Sequence, residues 1–286
     1  MTLLDATADR ADRGAAGTNV VLGERYCLGD QLGGGSEATV HEAFDLKTSR
    51  DVAVKIFRAT EPAKSAPYRR ELEIHRPLRH KNIVRVLDAG MTEPTAAEPA
   101  RNYLVMDRVS GRDLRWFLHE QAASPGQTAE WMAGIARSLA YIHRRGVVHN
   151  DVKPGNILVD LAADPTGHGT AKLTDFGIAI SGRHTAPESS SGTPHYLSPE
   201  EVCGGEATAA SDIYSLGLVA LECLTGTKAF PGPPLESMVA RTLREPRIPG
   251  TVRRRWSMVL HAMTDPDPAG RPSASQAVGL LRRLDG

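Results

Sequence analysis

The segment Val148-His149-Asn150-Asp151-Val152-Lys153-Pro154-Gly155-Asn156 puts an aspartate, a lysine and an asparagine into one loop, and Leu173-Thr174-Asp175-Phe176-Gly177 offers a second aspartate in front of a glycine. Together they supply a candidate base, a cation and two hard oxygen ligands of the kind Mg²⁺ prefers. Upstream, Val52-Ala53-Val54-Lys55 carries a lysine inside an otherwise apolar strand. A buried ammonium there is costly unless an anion meets it. Phosphate oxygens and Glu71 on the following helix are the two partners open to it, and an edge-strand lysine turned to solvent is the alternative. The turn Leu32-Gly33-Gly34-Gly35-Ser36-Glu37-Ala38-Thr39-Val40 lets backbone N–H groups approach phosphate oxygens with no Cβ in the way. A tight hairpin also uses glycine for conformational reasons alone.

The elements that must position these groups follow two periods. Residues 26–32, 38–43 and 52–57 alternate as strands, with the glycine turn joining the first two as a hairpin. Residues 68–78 have helical spacing, and 84–89 and 102–107 read as two more strands, separated by a Pro- and Ala-rich loop at 93–99. After Gly111 the period becomes 3.6. Trp131, Ile135, Leu139 and Ile142 fall at helical steps and Gly146 stands at the stop. Residues 211–225 and 252–263 read as helices, and Ser273-Ala-Ser-Gln276 opens a last one as a capping box. The expected fold is α+β and bilobal. A disordered tail at 1–19 precedes a small antiparallel-sheet lobe with one helix at 20–108 and a larger, mainly helical lobe at 109–286. The short connection at 108–112 is where a ligand cleft is expected.

Composition narrows the function classes. Lys plus Arg and Asp plus Glu both count 34, so no basic excess points to nucleic acid or an anionic membrane. Phosphate binding must be local. Cys27, Cys203 and Cys223 are too few and too scattered for a disulfide framework or a metal cluster, which fits a reducing cytosol. The first twenty residues mix Asp and Arg and lack the basic start and apolar middle of a signal peptide. The most apolar helical stretch, 213–224, carries Glu222 and is shorter than the roughly twenty residues a membrane span needs.

GGGSEATV, VAVK, HNDVKPGN, DFG, SPE, SDIYSLG and the late Arg271 occur in one order and spacing, and on these motifs the chain resembles the eukaryotic-type (Hanks-type) serine/threonine protein kinases over nearly all of 20–284. The resemblance implies ATP-dependent transfer of a γ-phosphoryl group to Ser/Thr hydroxyls of proteins, with autophosphorylation, ATP and Mg²⁺ as cofactors and a homodimer as one arrangement for it. Leu32, Gly33, Gly34, Gly35 and Val40 would cover the phosphates, and Lys55, paired with Glu71, would hold the α and β phosphates. Asn156 and Asp175 would bind Mg²⁺, Asp151 would accept the hydroxyl proton, and Lys153 would balance charge on the transferred group. Met106 is the implied gatekeeper, Asp107 to Val109 the hinge, Asp113 the ribose contact, and Ala53, Val40 and Leu158 the adenine sandwich. For these apolar residues plain core burial is the alternative. Glu200 with Arg271 resembles a structural ion pair and Asp212 an anchor for the catalytic loop. Lys153 after Asp151, and Thr193, match the Ser/Thr type rather than the tyrosine-specific one.

Departures qualify the regulation. Asn150 stands where many members carry arginine, the usual receiver of an activation-loop phosphate, so activity is expected to depend little on phosphorylation at Thr185, Ser189, Ser190 or Ser191. That Ser-rich stretch also reads as a plain flexible loop. Ala38 replaces a third glycine and Ser198 an alanine, neither with an expected loss. His75 occupies a position the family fills with an apolar side chain and is read as a core histidine. A catalytically inactive scaffold and a small-molecule kinase are the alternatives; the first normally loses the counterparts of Lys55, Asp151 or Asp175, all present here. Arginine outnumbers lysine 27 to 7, which fits a bacterial member. No membrane partner or nucleic acid is expected, and a cytoplasmic location is.

Overall fold

Alternating apolar and polar residues build an antiparallel sheet from β1 (Val21–Leu22), β2 (Tyr26–Gly34), β3 (Ala38–Asp45), β4 (Arg50–Phe57), β5 (Val86–Met91) and β6 (Asn102–Asp107), in the order β1-β2-β3-β4-β6-β5. The structure, a computed structural model, describes residues 20–35, 38–58, 66–95, 99–120, 123–162, 167–176 and 193–284. The expected tail at 1–19 and the acceptors Thr185 and Ser189–Ser191 lie outside them. Two compact units form: one takes the described residues up to Leu72 and Arg85–Arg108, the other Glu73–Val84 and the chain from Val109 onward.

In the first unit, Val52, Val54 and Ile56 of β4 join Tyr26, Ala43, Tyr103 and Val105 in the core. The two-residue period therefore turns Ala53, Lys55 and Phe57 to the opposite face. Helix α1 (Ala66–His75) stops three residues before the expected end because Pro77 disfavours helical backbone at Arg76. The strand expected at 84–89 begins at Val86. Val84 donates instead to the Leu173 carbonyl (2.9 Å), beside the Ile83–Leu173 bridge in the second unit.

The second unit carries a small sheet, β7 (Gly111–Asp113), β8 (Ile157–Asp160) and β9 (Thr170–Leu173), and helices α2 (Leu114–Glu120), α3 (Pro125–His143), α4 (Pro199–Val202), α5 (Ala209–Thr225), α6 (Pro234–Leu243), α7 (Arg254–Met263) and α8 (Ala274–Arg282). Ile135, Leu139 and Ile142 of α3 share one core with Ile213, Leu216 and Val219 of α5 and Leu260 and Met263 of α7. Ser273 caps α8 as expected, with Gln276 bonded back to its N–H. Gly111 and Arg112, read from sequence as connection, are strand. Gly111 pairs with Asp160, and a Cβ on it would stand 1.9 Å from the Val159 carbonyl oxygen, so only glycine admits this pairing. No described helix is long and apolar enough to cross a membrane.

The Glu200–Arg271 pair is present. The Arg271 guanidinium forks onto both carboxylate oxygens (2.7 and 2.8 Å) and also donates to the carbonyls of Asp265, Pro266 and Ala210. Removing one partner of a buried pair strands the other, so Arg271→Ala should cost about 3–5 kcal/mol in urea unfolding. A loss within experimental error would refute this role.

Burial alone would raise the Glu200 carboxyl, but hydrogen bonds from Arg271, its own backbone and Ser211 outweigh it and hold the group at about 2, against an ordinary 4.5. Because the folded value is the lower one, this stabilisation is fully present above 4.5 and fades as pH falls toward 2. The stability gap between the wild-type chain and Glu200→Gln should therefore close across that window in denaturant titrations. Parallel pH profiles for the two proteins would count against it.

Candidate active site

The first unit gathers one half of the expected groups. Strand register sets Val40 opposite Lys55 and Lys55 opposite Leu104, with Ala53 opposite Met106. Val40, Ala53, Lys55 and Met106 consequently share the face turned away from the core. The edge-strand alternative for Lys55 fails, since β4 lies between β3 and β6. Its ammonium reaches both Glu71 oxygens (2.9 and 3.1 Å), with the two side chains only 12% and 9% exposed. The same ammonium lies 5.1 Å from the centre of the Phe57 ring, whose edge meets Tyr68.

The glycine turn carries a second signal. None of Gly33, Gly34 and Gly35 has a positive φ, so the hairpin's conformation does not call for glycine at these positions. Open space surrounds the Cβ positions of Gly33 and Gly35, whereas a Cβ on Gly34 would meet Gln31 Nε2 at 3.0 Å. Bare backbone next to empty space suits a ligand that approaches closely. Leu32 is exposed at its edge, Asp107 ends β6 with its N–H on the Arg85 carbonyl (2.9 Å), and Arg108 pairs with Glu42 (3.2 Å).

The second unit assembles the other half on the loop after α3. Asp212, near the start of α5, is 1% exposed; its carboxylate accepts from His143 Nε2 (2.8 Å) and from the backbone N–H groups of His149 (2.9 Å) and Asn150 (2.8 Å). The anchor expected from sequence is thus in place, and His143 joins it unannounced. Beyond the anchored pair, Asp151 Oδ2 accepts from Asn156 Nδ2 and from Lys153 Nζ, both at 2.8 Å. Its Oδ1 has no hydrogen-bond partner among the described residues. The second role of Asn156, holding the aspartate, has no signal in the sequence beyond spacing.

Residue 156 ends the short turn Pro154–Asn156 and leads into β8, which pairs Ile157 with Leu173 of β9. This register sets Asn156 beside Thr174, whose N–H donates to the Asn156 carbonyl (3.0 Å), and Asp175 follows at φ +49°. Since the Asn156 amide nitrogen is committed to Asp151, its Oδ1 is left as an oxygen donor close in the fold to the Asp175 carboxylate. The pair fits a hard divalent cation. Among the described residues no group of three or more His, Cys, Asp or Glu could hold a metal, so phosphate oxygens or waters would complete the shell.

Buried histidines flank this region. The ring centre of Phe176 lies 4.3 Å from that of His75 and 4.9 Å from that of His149. His75 is fully buried with Nε2 on the Val84 carbonyl (2.7 Å), the core histidine expected. Burial pushes the His149 imidazole down from its ordinary value, favouring the neutral form. Asp113 sits in β7 opposite Leu158, and its oxygens accept from the Trp116 N–H (2.8 Å) and Arg115 (2.9 Å), capping α2, a structural duty the sequence reading did not anticipate. Val109 lies just before β7, accepting from the Gly111 N–H (3.0 Å), and Thr193 opens the turn Thr193–His195. Ser198 is engaged through N–H and Oγ by Glu201 at the head of α4.

Comparison with known proteins agrees with this arrangement. The model of the protein kinase domain matches residues 26–280. The chain is 37% identical over 276 residues to the serine/threonine-protein kinase PknB of Mycobacterium leprae, covering 91% of this chain and 43% of that protein. It is 37% identical over 284 residues to PknB of Mycobacterium tuberculosis (93% and 44%) and 35% over 282 residues to PknB of Mycolicibacterium smegmatis (93% and 44%). The chain spans less than half the length of these relatives. With a lysine–glutamate pair on one unit, an anchored aspartate loop on the other and a domain match over most of its length, this chain belongs to the protein kinase family.

Proposed function

We propose that this chain transfers the γ-phosphoryl group of ATP to serine and threonine hydroxyls of proteins, other copies of itself among them. The observation that carries the reading is the Asp151 carboxylate, clamped at Oδ2 by Lys153 and Asn156 with Oδ1 left over. Oδ1 would take the proton of the substrate hydroxyl as the hydroxyl oxygen bonds to the γ-phosphorus and the bond from that phosphorus to the ADP oxygen breaks. Lys153 would offset the negative charge that spreads over the transferred group. Lys55 would hold the α and β phosphates, with Glu71 keeping its ammonium in position, and the turn from Gly33 to Gly35 would cover the phosphate oxygens, the Gly35 N–H itself being held by the Ala38 carbonyl (2.9 Å). Asn156 and Asp175 would hold Mg²⁺, which neutralises phosphate charge and orients the triphosphate when bound.

Val40, Ala53 and Leu158 would enclose adenine, with Met106 limiting the pocket's depth, backbone groups from Asp107 to Val109 bonding the ring and Asp113 meeting the ribose. The names of the relatives and Lys153 two residues after Asp151 support Ser/Thr specificity. The retained Lys55, Asp151 and Asp175 weigh against an inactive scaffold.

Incubation with labelled ATP, Mg²⁺ and a basic carrier protein should give labelled carrier, and Asp151→Asn should lower kcat by about 10²–10⁴-fold while still binding ATP. Equal labelling by both proteins, or none by either, would remove the proposal. Asp212→Ala acts at one remove, by releasing the loop. It should lower kcat about 10²-fold with the KM for ATP nearly unchanged, because misplacing the base spares nucleotide binding. Replacing Thr185, Ser189, Ser190 and Ser191 together by alanine should leave turnover within about tenfold, since Asn150 offers no guanidinium to a loop phosphate. A larger loss in the same assay would restore a phosphate switch.

A further inference from the structure

A cavity of about 260 Å³ lies wholly in the second unit, on residues that the proposed phosphotransfer does not use. Its walls include Lys81, Asn82, Glu130, Arg137, Thr170 and Arg282. Three of the six are cations, and the one acid, Glu130, is already engaged by His168 Nδ1 (2.9 Å). Arg137, on α3, has its Nε buried with no hydrogen-bond partner. Burial and the nearby charge of Arg282 push the Arg137 guanidinium below its ordinary value, the sign of a cation lacking a counter-ion.

Asn82 supplies an independent signal. It is 2% exposed, and its Nδ2 donates to the Ala171 carbonyl (2.8 Å), which fixes which way the amide faces. Its Oδ1 is then a buried acceptor without a donor. The placement is specific: a Cβ at Gly134 would come within 2.8 Å of Asn82 Nδ2, so α3 is bare where this side chain enters. Two of the lining residues therefore hold, beneath the cavity surface, an unused donor on a cation and an unused acceptor on a fixed amide. Both are states that folded proteins rarely leave unmet.

A matching ligand carries negative charge and, beside it, an N–H or O–H. A carboxylate brings one charge against three cations, whereas a phosphomonoester brings nearly two together with strong acceptor oxygens. The volume falls below the usual range for drug-sized ligands and suits a single group. We propose that this cavity binds a phosphate dianion, its oxygens on Arg137, Lys81 and Arg282 and its neighbouring donor on Asn82 Oδ1. A phosphoserine in a peptide supplies that donor from its backbone N–H, and inorganic phosphate from its own O–H.

Titration of the ¹⁵N-arginine-labelled chain, followed at the Arg137 Nε–Hε resonance, distinguishes these sources. The probes are N-acetyl-phosphoserine N-methylamide, its unphosphorylated counterpart and inorganic phosphate. Both phosphates should shift the resonance and the unphosphorylated amide should not. By calorimetry, binding should weaken about tenfold or more in Arg137→Gln and several-fold in Arg282→Gln, whose exposed position leaves the fold intact even if the first variant is unstable. Tighter binding of the phosphoserine amide identifies a peptide-borne group, and equal binding identifies free phosphate; both uphold the site. An unmoved resonance, or affinities unchanged in Arg282→Gln and in a folded Arg137→Gln, overturns it.

Discussion

A carboxylate shut away from water must be given donors, and meeting that demand at Asp212 organises the second unit. Two of its donors are the consecutive backbone N–H groups of His149 and Asn150. Drawing adjacent amides onto one carboxylate turns the chain sharply, and Asn150 accordingly has φ +63°, a conformation that asparagine tolerates better than most side chains. The loop leaves this anchor with Asp151 next in line, and the turn Pro154–Asn156 brings Asn156 back to it. A buried charge on α5 thus fixes the backbone from which the candidate base projects, and the base inherits the rigidity of a helix although it sits on a loop.

The first unit solves a related problem on a sheet. A strand with core packing on one face can be polar on the other only where partners are supplied, and β4 uses its second face for Lys55 with Glu71 from α1 as the partner. Because cross-strand neighbours share a face, Val40, Ala53 and Met106 come with Lys55 without further specification. The same register explains why plain core burial and ligand contact were hard to separate from sequence. These residues alternate as core residues do, but they stand on the face opposite the apolar cluster.

Legibility in the sequence followed physical cause. Helix α7 buries one regular face and β4 packs Val52, Val54 and Ile56 at a period of two, so their periods are readable; α3 and α5 are long apolar stretches buried on nearly every side, and the Ser273–Gln276 capping box is a local chemical signature. Helix α6 was not readable because its pattern is inverted. It buries Ser237 and Arg241, with the guanidinium on Ser237 and the Leu197 carbonyl, and leaves Leu235, Val239 and Leu243 exposed. Strand β7 is three residues long, too short to show a period, and its pairing depends on the missing side chain of Gly111. In the candidate site the residue types and spacing of Lys55, Asp151, Asn156 and Asp175 were legible. Which amide atom of Asn156 faces Asp151, and the capping duty of Asp113, depend on three-dimensional hydrogen bonding that no spacing encodes.

Among the described residues, four other than glycine have positive φ: Glu24, Ser49, Asn150 and Asp175. The first two sit in turns between paired strands, where such backbone is ordinary. The last two hold the candidate base and metal segments, and one side chain joins them. His149 Nδ1 accepts from the Asp151 N–H (3.3 Å), so Nε2 must carry the proton it donates to the Thr174 carbonyl (3.2 Å). A charged imidazolium would set a donor against the Asp151 N–H, and burial already disfavours that form. The neutral ring, packed on Phe176, therefore ties the residue before Asp175 to the backbone of Asp151. The two aspartates are held in one frame by a histidine that needs no proton chemistry of its own, and each end of that frame carries a left-handed residue, Asn150 and Asp175.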